Sequence, residues 1–190
     1  MSWSIGIMYK LRPFVSTKIM KNAYYSIIYP HLIYGIQVWG SAFKTESTNI
    51  DTIQKKAVRM ITFNDSFNTH GYGLCHSLPL FQQLEFLKIS DIYKLQISKF
   101  IHDCLNGHAP KQFNTWFTHN NEIHKHHTRS NVQIINENVF NTTNLFIPFA
   151  RTTNYGIKSI KVMGPKIWNE IPNINVLQNW LVSHVDLHPH

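Results

Sequence analysis

The residue types best suited to chemistry occur in one short run, residues 54–59, which reads QKKAVR. On a helix, Lys55, Lys56 and Arg59 project from neighbouring directions, while apolar residues anchor the opposite side. Cations placed in this way meet phosphate groups as point charges and do not read bases. The competing interpretation is a solvated helix face. The pattern makes these three residues candidates for nucleic-acid contact.

Four other cations are candidates for the same role. Lys10 and Arg12 close a short helix, where basic residues also complement the helix dipole. Arg129 lies in a polar stretch, where a guanidinium can bind phosphate with two hydrogen bonds, and Lys166 lies in the segment GPKIW. For each of them, a role in surface solubility competes with nucleic-acid contact.

A histidine cluster is the nearest approach to a metal site. His119, His124, His126 and His127 are close in sequence, and imidazoles at short spacing bind Zn²⁺ or Cu²⁺. Structural zinc sites usually have four ligands, often thiolates, and neither cysteine is near this cluster in sequence. Ordinary variation is the simpler interpretation, so we expect no metal site.

The two cysteines predict neither a nucleophile nor a disulfide. Cys75 and His76 are adjacent, and neighbours on a regular element do not easily present sulfur and ring nitrogen to each other. Cys104 lies on an apolar helix face, where cysteine behaves as a small hydrophobe. Without a CxxC motif or a signal peptide, we expect reduced thiols in an intracellular protein, nuclear or cytoplasmic and not secreted.

The composition favours a polyanionic partner over a membrane. The 190 residues are 43% hydrophobic and carry a net charge of +8, a balance that a solvated basic surface would also give. The least polar stretch, residues 23–40, holds Pro30, His31, Gln37 and four tyrosines. A bilayer span needs about 20 predominantly apolar residues. We therefore predict two buried helices here and no membrane partner.

Helical signals continue through the first 108 residues. A helix at residues 4–11 ends at Pro13, Ser16 or Thr17 caps the next one, and Pro30 opens another. A clearer helix follows a cap at Thr48 or Asn49. The longest pattern, residues 79–105, predicts a single helix that ends at Asn106-Gly107. The apolar faces of the last two helices are predicted to contain Ile50, Ile53, Ala57 and Ile61, and Leu84, Leu87, Ile92, Leu95, Phe100 and Ile101.

The character of the chain changes near residue 109. Asparagine becomes frequent, and β-rich runs at residues 132–135 and 157–163 predict short strands. A short helix is predicted from Pro165 to Glu170, and an amphipathic stretch at residues 176–185. Trp39 and Trp168 are assigned to packing. The predicted fold is mainly α, with a helical bundle at residues 1–108 and a small, loop-rich, mixed α/β part at residues 109–190.

Four segments together carry a family resemblance. They are SIGIMYKLRPF (4–14), YYSIIYPHLIYGIQVWG (24–40) followed by IQKKAVRMITF (53–63), LEFLKISDIYKLQISKFIH (84–102), and IHKHHTR (123–129) with GIKSIKVMGPKIWNEIP (156–172). In this order and spacing they resemble the part of jockey-like, non-LTR (LINE-type) retrotransposon reverse transcriptases that follows the catalytic palm. The likeness covers nearly the whole chain.

The resemblance implies a polymerase thumb followed by a C-terminal region that contacts template RNA and target DNA. Such polymerases hold two Mg²⁺ ions with palm aspartates, two of them adjacent. Here each aspartate stands alone, and the family's His-x-aromatic-x-Thr-Arg pattern lacks its aromatic residue at 124–129. The implied role is therefore a non-catalytic fragment of an RNA-directed DNA polymerase, with no cofactor of its own although the parent would use Mg²⁺. The isolated aspartates are Asp51, Asp65, Asp91, Asp103 and Asp186.

Two alternatives belong to other functional classes. The chain could be the product of a decayed, 5′-truncated element copy without function, exposing a face that once packed on the palm. It could also be a host-adopted module that binds protein. The leading hypothesis is sequence-nonspecific binding of RNA template, DNA primer or DNA target, with no small-molecule substrate.

Overall fold

The fold is described from a computed structural model that covers residues 2–41, 44–62, 77–123, 144–152 and 156–170. These residues are mainly helical, as predicted, and no β-strand occurs among them. None of their helices is long and apolar enough to cross a membrane. The chain divides into two compact units, Met1–Tyr93 and Lys94–His190. The boundary expected from composition, after residue 108, stays a prediction.

The first unit begins with helix α1, Ser2–Leu11, which runs into a 3₁₀ turn at Arg12–Phe14. The predicted ending at Pro13 is confirmed, because proline has no N–H to continue the helix. Helix α2, Thr17–Ala23, follows. Ser16 occupies its N-cap position as predicted, but the Ser16 side chain makes no capping hydrogen bond. The first free amides of α2 are therefore not satisfied by that hydroxyl.

A π-helical turn, Tyr24–Ile28, joins α2 to α3, Tyr29–Ile33. The backbone N–H of Tyr29 bonds the carbonyl of Tyr24, five residues back, which widens the turn just before Pro30. Because proline cannot donate and its ring crowds the preceding turn, a wider turn relieves the conflict. Gly35, with the left-handed φ of +62°, then separates α3 from the short helix α4, Ile36–Trp39.

Helix α5, Lys44–Ile61, carries the basic run. It begins one turn before Thr48, so the cap predicted at Thr48 or Asn49 is wrong. Ala57 and Ile61 are buried as predicted, whereas Ile50 and Ile53 are only half-buried. The remaining buried positions of this face are Gln54 and Val58, with Thr62 just beyond the helix.

The predicted single helix at residues 79–105 is wrong, because the chain forms two helices, α6 (Ser77–Leu84) and α7 (Ile89–Leu105). Glu85 adopts φ +58°, and the N–H of Phe86 bonds the carbonyl of Phe81. This is the left-handed helix ending that usually requires glycine. The predicted C-terminal stop at Gly107 is confirmed: its φ is +72°, and the N–H of His108 bonds the carbonyl of Asp103.

The core of the first unit is assembled around Tyr24. Its ring stacks on that of Phe86, with centroids 4.4 Å apart and planes 17° from parallel. Tyr25 packs edge-on against both rings. The other buried apolar residues of the first unit include Met8, Met20, Ile28, Leu32, Ile36, Ala57, Val58, Ile61, Leu80, Phe81, Leu84 and Ile92.

The second unit contains the C-terminal part of α7, a 3₁₀ turn at Lys111–Phe113, helix α8 (Asn120–Ile123) and helix α9 (Ile160–Glu170). An isolated antiparallel bridge joins His119 to Leu145. The side-chain amide of Asn169 makes two hydrogen bonds to the backbone of Leu145: it accepts from the N–H (2.9 Å) and donates to the carbonyl (3.0 Å). A side chain thus supplies the pairing that a neighbouring strand would give.

The strand predicted at residues 157–163 is wrong, because α9 begins at Ile160 and continues through Pro165. The proline removes one intrahelical hydrogen bond, but burial of Val162, Ile167 and Trp168 offsets that loss. A Cβ at Gly164 would lie 3.2 Å from Ile101 Cδ1, so a larger residue here would require the Ile101 side chain to shift by a few tenths of an ångström. The expected strand at 132–135 and the amphipathic stretch at 176–185 lie outside the described residues.

Candidate nucleic-acid interface

The outer face of α5 is the best-formed part of the predicted interface. Lys56 and Arg59 are exposed, and so is Thr52, which lies on the same side of the helix one turn before Lys56. At about 100° per residue, Lys56 and Arg59 lie about 200° and 140° around the helix from the buried Gln54. Their charges therefore point into solvent, where a phosphate backbone laid along the helix could reach both.

Lys55 has a different environment from its two neighbours. It forms an (i, i+4) ion pair with Asp51, and both side chains are partly exposed. Such surface pairs contribute only about 0.3–0.5 kcal/mol, so a phosphate could replace the carboxylate. The nearby negative charge nevertheless weakens the attraction of Lys55 for polyanions. Sequence reasoning missed this pair, although an acidic residue four positions before a lysine on a helix is a local signal.

An open groove of about 470 Å³ lies beside Lys55. It contains a second cation, Lys88, from the segment between α6 and α7, and the first residues of both helices line it. Lys88 was missed by sequence reasoning, because no local pattern relates positions 55 and 88. The lining residues are Thr48, Asp51, Lys55, Ser77, Leu78, Lys88, Ile89 and Ser90.

A buried amide fixes the orientation of α5. Gln54 Nε2 donates to Tyr24 Oη (3.0 Å) and to the Leu87 carbonyl (2.8 Å). Gln54 Oε1 accepts from the backbone N–H of Ile89 (3.0 Å), one of the free amides at the start of α7. Burial raises the pKa of the Tyr24 phenol, and the Gln54 hydrogen bond partly opposes that shift. This network joins the inner side of α5 to Tyr24 and to the start of α7, which leaves Lys56 and Arg59 on the outer side.

Lys10 and Arg12, predicted to contact nucleic acid, differ in exposure. Lys10 is exposed on α1. Arg12 is half-buried, and burial lowers the pKa of its guanidinium while the nearby Tyr9 phenol acts in the opposite direction. Helix α1 packs against α5, so both basic segments belong to one compact unit.

The other residues considered for nucleic-acid contact do not lie on α1 or α5. Lys166 is half-buried in α9 of the second unit, and Arg129 lies outside the described residues. Trp168 is buried, which confirms its assignment to packing. Trp39 is half-buried, and its indole N–H donates to the carbonyl of Tyr34 at 2.7 Å. Neither indole is therefore a free platform for a base.

Among the residues that the structure describes, no group of three or more His, Cys, Asp or Glu side chains could hold a metal ion. His124, His126 and His127 are outside that set, as are Cys75 and His76. Cys104 is buried, as predicted, and burial raises the pKa of its thiol. A raised pKa keeps the thiol protonated and unreactive at neutral pH.

Comparison of the chain with protein-family models, with curated proteins and with solved structures returns no match. The case for a function therefore rests on the charges, burial and contacts described above and on the sequence resemblance.

Proposed function

We propose that this chain is a non-catalytic nucleic-acid-binding part of an RNA-directed DNA polymerase from a jockey-like non-LTR retrotransposon. Its α5 would lie along the primer–template as a thumb helix. The proposal includes an intracellular location, nuclear or cytoplasmic, and sequence-nonspecific contact with RNA and DNA. Any Mg²⁺ chemistry would belong to the parent polymerase, and no catalytic residue or small-molecule substrate is assigned to this chain.

The observation that carries the proposal is the outward placement of Lys56 and Arg59 on a helix whose other side is anchored. Gln54 fixes the rotation of α5, while Ala57 and Val58 are fully buried behind the two cations. A fixed, convex, positively charged helix face suits a phosphate backbone, because it offers charge without base-reading groups. The net charge of +8 favours the same class of partner.

The test is the salt dependence of binding to an RNA–DNA hybrid. For duplex contacts, each phosphate neutralised contributes about −0.9 to the slope of log affinity against log salt concentration. The double variant Lys56→Ala/Arg59→Ala should therefore make that slope less steep by about 1.8. Lys94→Ala/Lys99→Ala is the matched control, since it removes two exposed lysines of α7 and changes the net charge equally. Equal slopes for the two variants would refute a specific role for α5.

A second candidate, a protein-interaction module, is favoured by an apolar groove of about 500 Å³ next to the exposed Tyr34 and Val38. A stable monomer indifferent to nucleic acid at low salt would support this candidate. Self-association that Val38→Asp abolishes would instead indicate a decayed remnant with an exposed packing face. Sedimentation velocity distinguishes these two outcomes. The groove is lined by His31, Tyr34, Gly35, Val38, Trp39 and Ile50.

A further inference from the structure

The outer side of α1 carries aromatic side chains that are exposed to solvent and do not belong to the core of the first unit. Ser4 and Met8 are buried on the inner side, whereas Trp3 and Tyr9 are 79% and 66% exposed. Phe14, in the 3₁₀ turn that follows, is 85% exposed. Exposed rings of this size, grouped in one segment, are unusual, because aromatic side chains gain most when they are buried.

The same side of α1 carries one exposed cation. Lys10 is exposed, and at about 100° per residue Trp3, Tyr9 and Lys10 lie within about 120° of one another around the helix. No aspartate or glutamate occurs before Glu46, while the same stretch holds Lys10, Arg12, Lys18, Lys21 and Lys44. The aromatic rings thus belong to a part of the chain whose formal charges are all positive.

We propose that Trp3, Tyr9, Phe14 and Lys10, which together form the aromatic face, bind unpaired nucleotides of single-stranded RNA or DNA. Bases stack on the rings, and the neighbouring cations meet the phosphates. Stacking tolerates any sequence, since every base has a π-face. A continuous duplex gains nothing from the rings, because its bases are already stacked on one another.

The spacing of the rings allows each of them to take a different base. Trp3 and Tyr9 are six residues apart, which is about 9 Å along a helix axis. The rise per nucleotide of a stacked strand is only about 3.4 Å. Because the separation exceeds one nucleotide rise, each ring would stack on a different base of a strand that lies along α1. The proposal rests on nucleic-acid binding as the function of the chain, but it assigns single strands to a surface separate from the outer face of α5.

The experiment measures the affinity of the full chain for three probes by fluorescence anisotropy. They are labelled oligodeoxythymidine, an abasic strand with the same number of phosphates, and an RNA–DNA hybrid of that length. Trp3→Ala, Tyr9→Ala and Phe14→Ala should each weaken oligodeoxythymidine binding by about 5- to 150-fold. Hybrid binding should stay unchanged, and the unsubstituted chain should prefer oligodeoxythymidine to the abasic strand.

Phe149→Ala provides the matched control, because Phe149 is another highly exposed aromatic residue, in the second unit. All four positions are exposed, so their alanine variants should fold normally, as circular dichroism would check. Trp3→Phe should restore most of the affinity lost in Trp3→Ala, since it restores a ring.

Three results would overturn the inference. Equal affinity for oligodeoxythymidine and the abasic strand would mean that phosphates alone are bound. Losses no larger in the α1 variants than in Phe149→Ala would mean that the rings play no specific part. Binding to phosphatidylserine-containing vesicles that depends on Trp3, without oligonucleotide binding, would assign the face to a lipid surface. Failure of the α5 proposal is distinct: Lys56→Ala/Arg59→Ala would leave hybrid binding unchanged while the α1 variants still lost single-strand affinity.

Discussion

Replacing Gln54 with leucine should destabilise the first unit although the volume of the side chain hardly changes. Leucine fills nearly the same space, so no large cavity forms, but all three hydrogen bonds of the amide are lost. Tyr24 Oη, the Leu87 carbonyl and the Ile89 N–H would each lose this partner. The substitution therefore isolates the polar contribution of the network from that of packing.

The expected magnitude follows from the number of groups left without the amide. A hydrogen bond contributes about 1 kcal/mol net, and an unsatisfied buried group costs about 1–3 kcal/mol. Tyr24 is fully buried, whereas Leu87 and Ile89 are half-buried and can recover some hydration. We therefore expect a loss of about 2–4 kcal/mol in the free energy of unfolding. For a chain of this length that corresponds to a fall of about 4–16 °C in Tm.

Urea denaturation followed by circular dichroism measures the loss, and Thr52→Ala is the control. Thr52 lies on the same helix but is exposed, and its hydroxyl bonds only the Thr48 carbonyl one turn back. Its replacement should change stability by less than about 0.5 kcal/mol. A Gln54→Leu variant as stable as Thr52→Ala would refute the assignment of Gln54 as the residue that orients α5. A double-mutant cycle with Tyr24→Phe would show how much of the loss belongs to the phenol contact.

Three further predictions concern charge, pH and backbone conformation. Asp51→Asn should release Lys55 from its ion pair and so strengthen binding to the RNA–DNA hybrid. The slope of log affinity against log salt concentration should become steeper by up to about 0.9, as anisotropy titrations would check. An unchanged slope would mean that Lys55 contacts no phosphate. Burial raises the pKa of Tyr25 from 10.0 to about 12, so the folded state favours the neutral phenol. The resulting stability is present below pH 10 and is lost as the pH rises toward 12. Urea titrations should therefore show that Tyr25→Phe loses less folding stability at alkaline pH than the parent chain. Glu85→Gly should raise the free energy of unfolding by about 0.5–1 kcal/mol, because glycine accepts a positive φ without strain. Gly107→Ala should lower it by about 1 kcal/mol for the opposite reason. A Tm equal to that of the parent for either variant would contradict this account.

Local sequence signals determined much of the helical content. The apolar stretch of α1, the proline at position 13 and the glycine at position 107 each act within a few residues. The helix α1, its stop at Pro13 and the stop of α7 at Gly107 could therefore be predicted. The basic run on α5 is likewise visible in the sequence, since a helical period places Lys56 and Arg59 on one side. Its proposed contact with nucleic acid stays a prediction.

Other elements were determined by partners distant in sequence. The break after α6 has no local signal: Glu85 takes the conformation that glycine takes at position 107, and residues 79–105 keep a helical period across the break. At the break, the side-chain amide of Gln54 instead hydrogen-bonds the carbonyl of Leu87 and the N–H of Ile89, which are 33 and 35 residues away in sequence. In the same way, Asn169 binds Leu145 across 24 residues, and α9 keeps a proline in its interior beside buried Trp168.

The physical distinction lies in the range of the interactions. Helix periodicity, proline stops and glycine endings depend on backbone sterics and hydrogen bonds between residues at most five positions apart, and the sequence by itself therefore determined them. Which polar side chain satisfies a distant backbone group and which rings remain in solvent depend on packing between helices. Only the tertiary structure decided that Gln54 orients α5 and that Trp3 and Tyr9 stay exposed.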